Sequence, residues 1–321
     1  MRAVVVTELG GPEVLRVADH ETPTPGSREV VVDVAAAGVN FMDIYGREGR
    51  PPYTRDTPFV LGAEGAGVVS AVGGEVGEFA VGDPVAWTGV PGSYAEQVVV
   101  PADRAVQVPS GVDVTTAAAV MLQGCTAHYL ASSTWRVSDD DVAVVHAAAG
   151  GVGQLLTQIV RLRGGVVVAT TSGGEKADLA RGAGAQHVAG YDDYLEVVRE
   201  VTGGDGADVV YDGVGKATFD DSLRALRRRG LMVLYGAASG PVPPFDPQRL
   251  MTGSLYVTRP TLGDYIATRD ELVARTEELF GWIADGRLKV RIGGTYRFSD
   301  AARAHEDLAG RRTTGKLLLT P

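Results

Sequence analysis

A single cysteine, Cys125, occurs in the 321-residue chain. That excludes an internal disulfide and any thiolate metal cluster, and it fits a reducing compartment. Basic residues are in the minority: Lys plus Arg is 30 against 40 for Asp plus Glu, a formal net charge of −10. An acidic surface repels phosphate backbones and anionic membranes, so neither nucleic acid nor membrane is an expected partner. No stretch reaches the ~20 apolar residues of a membrane-spanning helix, and the N-terminal apolar run breaks at Gly10-Gly11-Pro12, too early for a secretion signal. The expected location is the cytoplasm. The histidines His20, His128, His146, His187 and His305 are scattered, and neither G-x-S-x-G nor H-E-x-x-H occurs, so no fixed acid–base dyad is legible. Internal repeats, low-complexity linkers and disordered charge blocks are also missing.

What is present is the ordinary apolar content of a globular protein, 45%, in a chain long enough for two domains. Up to about residue 118, short Val-rich runs such as "EVVVDVAAAGV" and "YAEQVVVPADRAVQVP" are broken by Gly and Pro and read as strands. "NFMDIYGREG" supplies one helical turn among them. From about residue 120 to 260, apolar strands alternate with helices of about 10 residues, the pattern of a doubly wound parallel sheet. In that stretch "ATFDDSLRALRRRG" reads as a helix ending on Arg227-Arg228-Arg229, where cations suit the negative end of the dipole. The tail brings a helix "RDELVARTEELFGWIADGR", a strand "KVRIGGTYRF", a helix opening at Ser299-Asp300 and a last strand "GKLLLTP".

Between the first strand and first helix of the alternating region lies "HAAAGGVGQLLTQIV", His146 to Val160. The dinucleotide fingerprint G-x-G-x-x-G finds Ala148, Gly150 and Gly153 at its glycine positions. Gly150 and Gly151 let backbone N–H groups approach a pyrophosphate at the positive end of the helix, and Gly153 lets that helix pack closely on the strand. Ala148 is tolerable at the turn if its φ stays negative. An NAD site calls for an acidic residue at the tip of the second strand, about 20 residues on. Here the tip reads "TTSGGEK": Thr171 and Ser172 leave room for a 2′-phosphate, and Lys176 can supply charge to it. Glu175 is dissonant, and Lys176 taken alone is an ordinary surface lysine. Together these features point to NADPH.

Several segments carry a family resemblance: "GGPEVL" (10–15), "GVNFMDIYGREG" (38–49), "LGAEGAGVVSAVG" (61–73), "HAAAGGVG", "VVYDGVG" (209–215), "RRGLMVLYG" (228–236) and "GSLYVTRPTL" (253–262). Nearly end to end, the chain resembles the zinc-independent quinone oxidoreductases of the medium-chain dehydrogenase/reductase superfamily. The resemblance implies an α/β protein in which a GroES-like, mostly β catalytic domain (1–120 and 260–321) is joined to a Rossmann NADPH-binding domain with a doubly wound parallel sheet (121–259). It also implies a homodimer joined through the Rossmann domains. Where zinc-dependent members carry Cys, His and Cys, this chain has Asn40, Ala63 and Leu122, which cannot provide the N/S coordination zinc requires, so no metal is expected. Glu64 remains, read as a structural residue near the cofactor.

The resemblance further implies site residues. Asn40, Tyr45 and Thr126 take the catalytic positions, Asn40 and Tyr45 being the candidates to hydrogen bond a substrate oxygen. Gly150, Gly151 and Val152 take the pyrophosphate; Ser172, Lys176 and Tyr191 surround the 2′-phosphate; Arg311 approaches the cofactor from the tail. Asn40, Tyr45, Thr126 and Tyr129 line the nicotinamide side, with Tyr235, Gly236 and Val257 behind it. For each aromatic the alternative is plain packing. A metal-free site suits quinones, because hydride addition gives a phenol-like anion with a pKa of about 10 that needs modest stabilisation. An enone or alkenal double-bond reductase, and a non-catalytic NADPH-binding protein, are the competing readings.

Overall fold

Runs of Val and Ala among polar residues fold residues 2–107 into eight strands, since branched side chains pack well on a pleated, half-buried surface. In the computed structural model, which describes residues 1–321, these are β1 (Arg2–Val6), β2 (Leu15–Asp19), β3 (Glu29–Val39), β4 (Phe59–Val60), β5 (Glu64–Val72), β6 (Pro84–Thr88), β7 (Gln97–Pro101) and β8 (Ala105–Gln107). Helix α1 (Phe41–Arg47) follows β3, and α2 (Val114–Tyr129) closes the segment. The alternating region then supplies β9 (Val142–Val145), α3 (Gly151–Leu162), β10 (Val166–Thr170), α4 (Glu175–Gly182), β11 (His187–Ala189), α5 (Tyr194–Val201), β12 (Ala207–Asp212), α6 (Phe219–Ala225), β13 (Leu226–Leu234), β14 (Tyr256–Thr258) and α7 (Leu262–Tyr265). The tail adds α8 (Arg269–Ala284), β15 (Ile292–Arg297), α9 (Ala301–Ala309) and β16 (Lys316–Thr320). No helix is long and apolar enough to cross a membrane.

Two compact units result: residues 1–125 with 266–321, and residues 126–265. In the first, a seven-stranded sheet runs β15-β16-β3-β5-β6-β8 with β7 also on β3, and a three-stranded sheet runs β2-β1-β4. Its core gathers Trp87, Tyr94, Phe79 and Phe298 among valines of β1, β3, β6 and β7. Strand β16 lies parallel to β15 and antiparallel to β3, with Leu318 opposite Gly38 and Leu317 opposite Val39. That register carries Lys316 to the end of β3.

In the second unit all six strands are parallel, in the order β11-β10-β9-β12-β13-β14. The order reverses between β9 and β12, the switch point at which open α/β sheets bind ligands beyond their strand ends. Two expectations from the sequence are corrected here. The β texture does not run to about residue 118: the last strand ends at Gln107 and α2 begins at Val114. The arginine run does not end a helix: α6 stops at Ala225, and Arg227, Arg228 and Arg229 lie in β13. Strand pairing resumes there, Leu226 opposite Ala207, and a bulge puts Arg229 at φ 59.

Candidate functional site

The loop after β9 is shaped by its small residues. The left-handed conformation falls on Ala147, with φ 50, and not on Ala148, whose N–H donates to the Thr170 carbonyl at 3.1 Å. Gly150 is the N-cap of α3; no side chain caps the helix and its first turn holds no acid. The Gly150 N–H turns back to the Ala147 carbonyl at 2.9 Å, and the first turn from Gly151 and Val152 presents the positive end of a 12-residue helix to whatever anion lies before it. A Cβ on Gly153 would strike the Ala147 carbonyl oxygen and come within 2.7 Å of Ala148 Cα, so the absence of a side chain there lets helix and loop touch.

Beneath this loop a buried hydrogen-bond hub ties three strand ends together. Asp212 Oδ1 accepts from the N–H groups of Val214 and Gly215 at 2.8 and 2.9 Å, and its Oδ2 accepts from the hydroxyls of Thr218 and Ser222 at 2.7 and 2.9 Å. With its proton given to Asp212, Ser222 must accept from His146 Nε2, 3.0 Å away, and Thr170 then donates to His146 Nδ1 at 2.8 Å. Burial lowers the imidazole pKa, consistent with this neutral form, and both ring nitrogens of His146 are taken up by Thr170 and Ser222.

Beyond the tips of β10 and β11 opens a cavity of about 620 Å³, lined by Ser172, Gly173, Gly174, Arg181 and Tyr191 among others. The structure brings Ser172 and Tyr191 together here, the Tyr191 ring lying 6.0 Å from that of His146. Lys176, in the first turn of α4, is not among the lining residues; Arg181, one turn later and unforeseen, is, held by Asp178 at 2.9 Å. Asp178 and Asp192 add negative charge to the rim.

Elsewhere in this unit, Thr126 and Tyr129 lie three residues apart on α2, both buried, and Tyr129 stacks on Tyr265 with centroids 4.2 Å apart. Tyr235 and Gly236 follow β13. A Cβ on Gly213 would come within 2.8 Å of the Tyr235 ring, so that glycine makes its place; burial pushes its phenol well above the ordinary range. Val257 pairs with Met232 from the edge strand β14.

In the first unit, Asn40 ends β3 and starts α1. Its side-chain Nδ2 donates to Glu64 Oε1 at 2.6 Å and its Oδ1 accepts from Lys316 Nζ at 2.8 Å. Lys316 also bonds Glu64 directly, and Glu64 Oε2 accepts the Leu122 backbone N–H at 2.6 Å. Glu64 is 0% and Lys316 1% exposed, a fully buried ion pair. Asp43 Oδ2 accepts from the Asn40 N–H at 2.8 Å and from the Tyr94 hydroxyl at 3.0 Å. Tyr94 also lies 3.4 Å from His305 Nε2, whose other ring nitrogen is 3.4 Å from Arg47. Burial is the main cause of the large pKa displacements in this chain of groups: Asp43 is pushed up to about 7, the Tyr94 phenol well above its ordinary range and His305 down to about 3. Tyr45, on α1, sits in an aromatic row with Phe41 and Tyr53, at 6.3 and 5.7 Å, under the Arg50 guanidinium at 5.5 Å. Arg311 is exposed just after α9, at φ 54.

Glu64 was expected near a cofactor as a structural residue; its partners are Asn40, Lys316 and Leu122. Lys316, Asp43, Tyr94, His305 and Arg181 had no signal in the sequence beyond their types. Zinc does not fit. Ala63 has no donor atom, the Asn40 amide is engaged at both ends, and an ammonium already supplies the positive charge. No group of three or more His, Cys, Asp or Glu side chains is placed to hold a metal. A dinucleotide does fit: α3 offers an uncapped, glycine-lined N-terminus, and the hydroxyl- and arginine-lined cavity suits a phosphate-bearing adenosine.

Residues 26–110 match the model of the alcohol dehydrogenase GroES-like domain, and residues 151–278 that of the zinc-binding dehydrogenases. A quinone oxidoreductase of Pseudomonas aeruginosa is 46% identical over 316 residues, covering 97% of each chain. A 2-haloacrylate reductase of Burkholderia is 39% identical, covering 99% of this chain and 98% of its own. The crystal structure of Escherichia coli quinone oxidoreductase complexed with NADPH superposes with a TM-score of 0.96 at 40% identity, over the whole of both chains.

Proposed function

The chain belongs to the quinone oxidoreductases of the medium-chain dehydrogenase/reductase superfamily, and from that membership we propose that it is an NADPH-dependent quinone reductase working without a metal. The observation that carries the reading is the uncapped, acid-free N-terminus of α3 at the switch point of the parallel sheet, in a chain whose zinc positions hold no usable donors.

Bound NADPH supplies the hydride. The chain's residues bind and orient. Gly150, Gly151 and Val152 receive the pyrophosphate; Ser172, Lys176 and Tyr191, joined by Arg181, hold the 2′-phosphate; Arg311 approaches from the tail. Thr126, Tyr129, Tyr235, Gly236 and Val257 frame the nicotinamide. Asn40 and Tyr45 hydrogen bond the substrate oxygen. The quinone gains a hydride and one proton and leaves as the hydroquinone. Its anion has a phenol-like pKa of about 10, so solvent can protonate it without a fixed acid. Positioning then supplies most of the rate.

The 39% identity to a 2-haloacrylate reductase supports a second reading, reduction of an activated carbon–carbon double bond with the same cofactor. NADPH oxidation with a panel of ortho-quinones, para-quinones, enones and 2-haloacrylate separates the two. The first reading expects quinones to be turned over with the highest kcat/KM; a preference for enones or haloacrylate moves the assignment to the second. We place the protein in the cytoplasm as a homodimer, supported by its acidic, one-cysteine composition and by the edge position of β14.

A further inference from the structure

We propose that Glu64 and Lys316 are positioning residues: as a buried ion pair they fix the orientation of the Asn40 side-chain amide and so decide which of its atoms a substrate meets. The inference rests on the reading of Asn40 as a substrate-facing residue. Nδ2 lies 2.6 Å from a carboxylate oxygen and Oδ1 lies 2.8 Å from an ammonium. Turning the amide over would set NH2 against NH3⁺ and carbonyl against carboxylate, two repulsive contacts among three buried side chains. The carboxylate is itself held, because its second oxygen accepts the Leu122 N–H at 2.6 Å. Room for the pair is made by Gly38 on β3, where a Cβ would collide with Glu64 and come within 2.6 Å of Lys316 Cε.

The orientation has a chemical use. One Nδ2 hydrogen is committed to Glu64, while the other spans a long 3.5 Å to the Gly38 carbonyl and is the donor a developing substrate oxyanion can draw on. Asn40 and Leu122 donate to different oxygens of Glu64, and in a glutamine one of those two places is taken by an NH2 group that meets a donor with a donor.

A double-mutant cycle in turnover tests this. Glu64→Gln should lower kcat with a quinone by about tenfold while NADPH affinity, measured by fluorescence titration, stays within about twofold. In an Asn40→Ala background the same substitution should cause no further loss of kcat, because it acts through the missing amide. Additive losses, or a Glu64→Gln enzyme with wild-type kcat, would overturn the proposal. Should Glu64→Gln fail to fold, Glu64→Gln with Lys316→Met leaves no lone buried charge and enters the same cycle. A readout independent of turnover is the Asn40 side-chain NH2 signal in ¹⁵N–¹H spectra, assigned by its loss in Asn40→Ala. It should shift strongly and exchange faster in the Glu64 variant; an unmoved signal refutes the positioning role. A wild-type enzyme inactive with every quinone would refute the proposed function, while the NH2 signal would still decide the role of the pair.

Discussion

Asp43 and His305 face each other across one tyrosine hydroxyl, and their displaced pKa values pull stability in opposite directions. Asp43 titrates at about 7 when folded against about 3.9 unfolded, so between those values the native state keeps a proton the unfolded chain has released. Its contribution therefore falls as pH rises through that window. His305 titrates at about 3 when folded against about 6.5 unfolded, so the unfolded chain takes up a proton that the native state refuses. Its contribution rises with pH between about 3 and about 6.5. Over the shared range the two slopes offset one another. Asp43→Asn should make the pH dependence of unfolding free energy steeper than wild type by about 1.4 kcal/mol per pH unit, rising toward neutral pH; His305→Gln should do the reverse. Urea unfolding from pH 4 to 7 checks both, and variants running parallel to wild type would show the groups do not titrate as stated. At the adenosine end, Lys176→Ala and Arg181→Ala should each weaken NADPH by about tenfold or less and leave NADH nearly unchanged, since exposed phosphate contacts are partly screened. Equal losses for both nucleotides would mean neither cation reads the 2′-phosphate. Elemental analysis should find no stoichiometric zinc, given Ala63 and the doubly engaged Asn40.

At the scale of elements, the alternating strands and helices of the parallel sheet were legible because each strand is a short apolar run and each helix has one polar face. Helix α2 was not. Its sequence, "VTTAAAVMLQGCTAHY", is buried for most of its length and carries no Lys, Arg, Asp or Glu, so it lacks the apolar stripe that marks a surface helix. The end of α6 was misplaced because Arg227–Arg229 suit a helix terminus as sequence, whereas pairing with β12 draws Leu226 onward into the sheet. The phosphate loop was legible as a glycine pattern, but the residue that carries its left-handed φ, Ala147, leaves no such mark. Loop and helix meet at Gly153, and Gly153→Ala should destabilise the protein by about 1–3 kcal/mol and weaken NADPH and NADH alike. Thermal unfolding and titration with both nucleotides would detect this; an undisturbed variant would mean that the loop yields freely.

For the whole molecule, the parallel sheet ends at β14, where Tyr256 is 59% exposed on an unpaired edge, and an open edge of this kind invites a second strand. The proposed two-fold dimer should give a light-scattering mass twice the 33.5 kDa of one chain, and Tyr256→Lys should shift it toward the monomer. A wild-type monomer would remove β14 from consideration as an interface. The long-range pairing in the other unit could not be read from sequence at all. Glu64 and Lys316 are separated by 252 residues, and a lysine opening a strand is, by type alone, a surface residue. That separation also bears on biosynthesis. At roughly 5–20 residues per second, Glu64 leaves the ribosome on the order of tens of seconds before Lys316 exists to meet it. During that interval the carboxylate has no counter-ion and β3 lacks β16 along one edge, so the N-terminal sheet cannot close as the ribosome delivers it. The nascent chain must keep that strand edge covered by other means, while residues 126–265, contiguous in sequence, can fold ahead of the unit into which they are inserted.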